Sequence, residues 1–265
     1  MTTRIGLALT ATVATLLVAM PTQAQLVTYE GFDYTEGESL LDQDGGSGWS
    51  AAWEYGNLDN NATIVSPGLT YGTMSVTGNA SSTQNQANGR LFTTTGLMDD
   101  GDVLWFSCLV NPTGTSSDLR FQVTSTNARG KGGGFRVGSY QSETEQWTVT
   151  AAINDGGGTG SVLIDKDSVS LIVGRTTFAD SGDDRVDVWV NPTSEPTGDS
   201  TVYALRAMTA GDYVWFGGGG SWQANLDEIR LGMSFDDVVG AVELLDGDYN
   251  DDGFVAQGDL DLVLL

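Results

Sequence analysis

The residues best suited to chemistry stand near the C-terminal end of the chain: Asp248, Asn250, Asp252, Phe254, Ala256 and Asp259. They fall at positions 1, 3, 5, 7, 9 and 12 of a twelve-residue window, the spacing from which a single loop delivers six to eight oxygens to Ca2+. Asp248, Asn250, Asp252 and Asp259 offer side-chain oxygens and Phe254 its carbonyl. Ala256 has no side-chain oxygen, so water serves position 9. Gly253 stands at position 6, where the chain turns sharply through angles that a Cβ opposes. Val255 points inward, and Leu260, Leu262, Val263, Leu264 and Leu265 open an apolar exit helix that shelters the ion from one side. Asp259 replaces the longer bidentate glutamate usual at position 12, which predicts a modest affinity. Short motifs also match by chance, and the competing reading is an acidic surface turn without an ion.

A second group of candidates is aromatic. Trp49, Trp53, Tyr55, Trp147 and Trp222 lie near glycine-rich loops, where an exposed ring could stack on a sugar, and packing beneath a loop is the alternative reading. Trp105, Trp189 and Trp215 sit in alternating segments and are expected in the core. Glycoside hydrolysis needs two carboxyls facing each other across a cleft. Glu143 and Glu145 lack the spacing of a catalytic strand, and Asp227 and Glu228, being adjacent, fall on opposite faces. Histidine is absent, which excludes Ser-His and Cys-His nucleophiles and histidine-held zinc. No catalytic residue is assigned.

The elements that position these residues are read from composition and pattern. Arg4, an apolar run from Ile5 to Met20 and Pro21-Thr22-Gln23-Ala24 read as a secretory signal peptide cleaved after Ala24. That predicts a secreted, extracellular chain with no membrane attachment after cleavage. The net charge of −24 becomes −25 when Arg4 leaves, which repels nucleic acid. Cys108 is the only cysteine, so no internal disulfide forms, and its apolar surroundings predict an inert buried thiol. The 36 glycines in 265 residues, about twice the usual ~7%, predict many turns.

Between residues 25 and 240 short β-rich runs alternate with Gly, Asn, Asp and Ser clusters. The clearest strands are Leu26 to Phe32, Val103 to Val110, Leu119 to Thr124, Gly134 to Tyr140, Gln146 to Ile153, Ser168 to Phe178, Arg185 to Val190, Tyr213 to Phe216 and Ala224 to Leu231. Weaker ones lie near Ile64, Met74 and Leu91. In Arg185 to Val190 the valines at 186, 188 and 190 share one face, predicting one buried and one wet side. With no crossover helices, the pattern predicts an all-β fold, a two-sheet antiparallel jelly-roll sandwich, with a closed barrel second. Ser234 caps a short helical turn that Gly240 ends. Residues 241–265 then form a short calcium-binding loop-helix appendage.

Two resemblances bear on these segments. Gly247 to Val255 with Asp259 and Leu260 look like one half of a type I dockerin, the EF-hand-like module whose paired loops bind a cohesin on another protein. Tyr29 to Tyr34, Gly45 to Ser50, Asp187 to Pro192 and Asp227 to Gly232 are similar to bacterial secreted proteins with a LamG-type, concanavalin-like jelly roll. That likeness implies a sandwich of roughly 200 residues and a further calcium site, for which the turns Asp42 to Asp44 and Asp180 to Asp184 are candidates. Together the readings predict a secreted calcium-binding, non-catalytic interaction or adhesion module. Its expected partners are a cohesin-like protein or an extracellular polysaccharide. The alternatives are a lectin-like carbohydrate-binding domain and a glycoside hydrolase or lyase.

Overall fold

The computed structural model describes residues 26–56, 61–72, 74, 76–84, 87–93, 97–115, 118–128, 130–209, 211–219 and 223–240. The predicted signal peptide, Trp222 and the whole calcium loop from Asp248 to Asp259 lie outside the described residues. Among the described residues no helix is long and apolar enough to cross a membrane.

The strands, in chain order, are β1 (Leu26–Glu30), β2 (Glu54–Tyr55), β3 (Thr63–Val65), β4 (Ala80–Gln84), β5 (Ala87–Leu91), β6 (Val103–Pro112), β7 (Asp118–Thr124) and β8 (Gly132–Gln141). Then follow β9 (Gln146–Ile153), β10 (Gly156–Gly157), β11 (Val162–Asp165), β12 (Ser170–Thr177), β13 (Asp184–Val190), β14 (Tyr203–Arg206), β15 (Tyr213–Gly219) and β16 (Gln223–Gly232). One sheet runs β14-β13-β12-β6-β16-β4-β3 with β1 beside β16, the other β10-β9-β8-β7-β15-β5-β2 with β11 beside β9. Their pairings are antiparallel, and the two sheets pack as the expected sandwich.

Alternation explains the core between them. Phe106, Cys108 and Val110 from β6, Phe121 and Val123 from β7, Val214 and Phe216 from β15, and Leu226 and Ile229 from β16 meet in one apolar cluster. Val186 and Val188 join it, with Val190 packed at its edge, so the valine face is buried as its spacing predicts.

The opposite face of that sheet is not wet. Trp105, Leu109, Leu171 and Val173 form a second cluster with Leu69, Ala80, Phe235 and Val238. Its covers are Leu69, Tyr71, Met74 and Val76 from the segment between β3 and β4 and a short helix, α1 (Phe235–Val239). Burial on both sides is why Val103 to Val110 reads as an unbroken apolar run rather than as alternation. The helix begins in a capping box, where Ser234 accepts from the Asp237 amide and Asp237 accepts from the Ser234 amide, satisfying two otherwise orphaned donors.

Five strands escape the sequence pattern: β2, β4, β10, β11 and β14. They are two to five residues long, too short to show a period of their own, and pairing with a neighbouring strand makes them strands. Met74, near which a strand is expected, lies instead in the loop covering the second cluster.

Candidate functional site

The tryptophans proposed as sugar platforms are placed differently by the fold. Trp53 and Trp147 are both 0% exposed, so neither presents a ring face to a ligand. Trp53 stacks on Phe32, and its Nε1 donates to Glu30 Oε2 at 2.9 Å. Trp147 points into the main core against Tyr140. Trp49 is half-buried; its Nε1 donates to the Tyr29 carbonyl at 2.8 Å, and the Arg90 guanidinium lies 4.9 Å from its ring centre. In these sites glycine-rich neighbours mark close packing, which sequence proximity alone does not distinguish from an open platform.

The acids of the core are similarly engaged. Asp227 and Glu228 straddle an irregularity in β16 at which Glu228 takes a positive φ of 52°, and both side chains are fully buried. Glu228 accepts from Tyr29 Oη at 2.8 Å, the Thr77 amide at 3.0 Å and Arg230 Nη2 at 2.6 Å. Asp227 accepts from the Leu69 amide at 2.7 Å and its neighbour's amide at 2.8 Å. Burial pushes its carboxyl up from 3.8 to about 8, with the Leu69 bond opposing and Glu228 adding to the rise.

Three carboxylates of the two turns considered for a further calcium ion are spent on protein donors. Asp44 pairs with Arg90, Asp183 accepts from the Ala207 amide, and Asp184 accepts from the amides of Ala179 and Met208. Among the described residues no cluster of three acidic, cysteine or histidine side chains could hold a metal.

A different place stands out on the outer face of the second sheet. Trp215 is 0% exposed yet belongs to neither apolar cluster. Its cross-strand neighbours are Gln122 on one side and Gly89 on the other, with Glu54 and Gly134 one strand further out. The next row carries Gly217, Arg120, Arg136 and Thr150 in register. Because paired residues point to the same side, these groups form one polar strip with glycine gaps.

The loop after β7 roofs the strip. Asn127 Nδ2 donates to the Tyr55 carbonyl at 2.5 Å and to Glu54 Oε2 at 3.3 Å, drawing the loop across β15 and β5. The Gly130 amide donates to Gln122 Oε1 at 2.9 Å, and Gln122 Nε2 donates to the Gly132 carbonyl at 3.1 Å. A Cβ on Gly89 would stand 2.0 Å from Asn127 Oδ1, so the roof requires glycine there. Trp215 Nε1 and, in the loop itself, Asn127 Oδ1 are buried without a partner. A buried donor and a buried acceptor left unpaired are each costly.

Sequence alternation placed Trp215 in the core and so passed over it. Burial is right, but the side chain faces outward, and no local signal distinguishes the two faces of a central strand.

No family model matches the chain, and no curated protein does. Solved structures similar to it in part are the botulinum neurotoxin serotype G binding domain, with 9% identity over 74% of this chain and 48% of that one at a TM-score of 0.44. The chain thus spans about half the length of that domain. It is similar also to an endo-β-1,4-glucuronan lyase from Trichoderma reesei, with 13% identity over 81% and 98% of the two chains and a TM-score of 0.43. For the CBM22-1 xylan-binding domain from Paenibacillus barcinonensis the values are 12%, 76%, 97% and 0.32.

Proposed function

We propose that this chain is a secreted, non-catalytic binding module that takes an extracellular polysaccharide at the roofed polar strip around Trp215. The C-terminal loop from Asp248 to Asp259 would bind Ca2+ and dock the module to a cohesin-like partner. The observation that carries the saccharide reading is that Trp215 Nε1 and Asn127 Oδ1 are both buried without a partner, so that lifting the Asn127 contacts from the 0% exposed Trp215 would offer a sugar a donor and an acceptor. Sugars present rows of hydroxyls that donate and accept at once, and the glycines at 134 and 217 leave the strip without side chains at those positions. Binding rather than acid–base chemistry is supported by the carboxylates beside the strip. Glu54 accepts from Asn127, and Asp155 pairs with Arg120.

The test is affinity electrophoresis and calorimetry of the signal-free protein against neutral and uronate polysaccharides, with Trp215→Phe as the diagnostic variant because it keeps an aromatic ring and removes the N–H. A polysaccharide bound by the parent and at least about tenfold more weakly by Trp215→Phe supports the reading. Equal binding by the two, or no binding by the parent, overturns it.

A further inference from the structure

On the outer face of the first sheet, away from the polar strip, Trp105, Arg175, Asp187 and Tyr203 stand in register across β6, β12, β13 and β14. Thr177, Arg185 and Leu205 form the next row. Asp187 is fully buried and accepts from Arg185 Nε at 2.9 Å, Arg175 Nη2 at 3.1 Å and the Ser200 amide at 2.8 Å. One buried carboxylate thus fixes two guanidiniums, and neither arginine is sealed off, with 19% and 21% of their side chains exposed. Arg175 Cζ lies 5.3 Å from the Trp189 ring centre and Arg185 Cζ 4.1 Å from that of Tyr203. Two cations against one buried anion leave a positive centre on a chain whose net charge is −24.

That centre is met by the protein's own Asp199, whose side chain is 65% exposed. Asp199 Oδ1 lies 3.2 Å from Arg175 Nη2 and Oδ2 3.6 Å from Arg185 Nη1. Charge-assisted bonds of good geometry run at about 2.7–2.9 Å, so Asp199 spans the two guanidiniums without closing on either. An exposed ion pair of this kind contributes little to stability. The residues around it are held separately: the Ser200 amide is bonded to Asp187, and the Ser200 hydroxyl donates to the Val188 carbonyl at 2.7 Å. On the other side Gly198 takes a φ of 142°, which glycine adopts freely. The Asp199 side chain can therefore swing out while Ser200 and the sheet stay in place.

We propose that Arg175 and Arg185 form a carboxylate-binding site for a uronate residue of an acidic polysaccharide, and that Asp199 is its built-in competitor. A guanidinium presents a planar fork that matches a carboxylate, and Asp187 holds both forks ready. A uronate carries its carboxylate beside an apolar C–H surface, which suits a site flanked by the half-buried rings of Trp189 and Tyr203 and by the exposed Leu205. An acidic peptide fits less well. The Tyr203 amide and carbonyl are already bonded to Thr159 at 3.0 and 2.6 Å, so β14 offers no backbone pairing at the site. In naming a polysaccharide the inference rests on the proposed function, but its residues lie on the opposite sheet from Trp215.

The test is calorimetry of the full chain against an oligogalacturonate and a neutral galactose oligomer of equal length, carried out in a Trp215→Phe background so that the polar strip does not contribute. Asp199→Ala is expected to bind the acidic oligomer several-fold more tightly than its background. Glu195→Ala, which removes an equal charge from the same exposed loop, is expected to leave binding unchanged. Neither change touches a buried residue, so both variants report on binding and not on folding. Adding Arg175→Lys to Asp199→Ala keeps the charge and loses the fork, and is expected to reverse the gain. No binding of the acidic oligomer by Asp199→Ala, equal binding of the neutral one, or an equal gain in Glu195→Ala would overturn the inference, the last assigning the effect to net charge. Loss of strip binding in Trp215→Phe with the Asp199 effect intact would separate the two sites.

Discussion

Arg90 Nη1 and Glu30 Oε2 meet at 2.6 Å, with at most 1% of either side chain exposed. Around them Trp53 Nε1 and Tyr34 Oη donate to the same Glu30 oxygen, and Arg90 continues to the carbonyls of Ala51 and Gly45 and to Asp44. One ion pair therefore holds β1, β5 and the long loop between β1 and β2 together. Removing one member leaves the other charge buried.

Arg90→Met is accordingly expected to cost about 3–5 kcal/mol of unfolding free energy, and Glu30→Gln with Arg90→Met together less than the sum of the two singles. Urea denaturation of the three variants measures both. Additive losses would show that the pair does not act as a unit.

Asp227 predicts a pH dependence. Its folded carboxyl holds a proton up to about pH 8, whereas the unfolded one releases it near its ordinary 3.8. Between those values the folded state binds more protons, so stability contributed by this group is full below about pH 4 and is lost as pH rises toward 8. Acid–acid repulsion across the chain gives a slope of the same sign, and the contrast with Asp227→Asn isolates the residue. The variant's unfolding free energy is expected to fall less steeply over this window than the parent's, by up to several kcal/mol. Parallel curves would remove Asp227 as the cause.

Gly174 on β12 faces Phe106 on β6, and a Cβ there would lie 1.9 Å from the Phe106 ring. The ring sits in the main core between strands and has no room to retreat, as Phe121 and Phe135 pack against it at centroid distances of 5.5 and 6.4 Å. Gly174→Ala is expected to cost about 1–3 kcal/mol by overpacking. Thermal unfolding checks this, and an unchanged melting temperature would contradict it.

For the C-terminal loop, calorimetric titration of Ca2+ into the signal-free protein is expected to show binding that an Asp248→Ala, Asp252→Ala variant loses by more than tenfold, because two of the charged ligands are removed. A variant that binds as well as the parent would leave the loop an acidic turn.

The amino-acid sequence by itself determined the all-β class and nine of the longer strands, because a two-residue period in Arg185 to Val190 and its counterparts survives whatever the strand pairs with. It also placed the Ser234 cap, since capping depends on neighbours three residues apart. Tertiary structure alone decided which faces of the sheets are covered. It made short segments such as Ala80–Gln84 and Tyr203–Arg206 into strands, buried Trp53 and Trp147, and turned Trp215 outward beneath a loop roughly ninety residues away in sequence. The reason is that alternation says which side chains share a face, while the partner opposite that face is set by contacts between residues far apart in the chain.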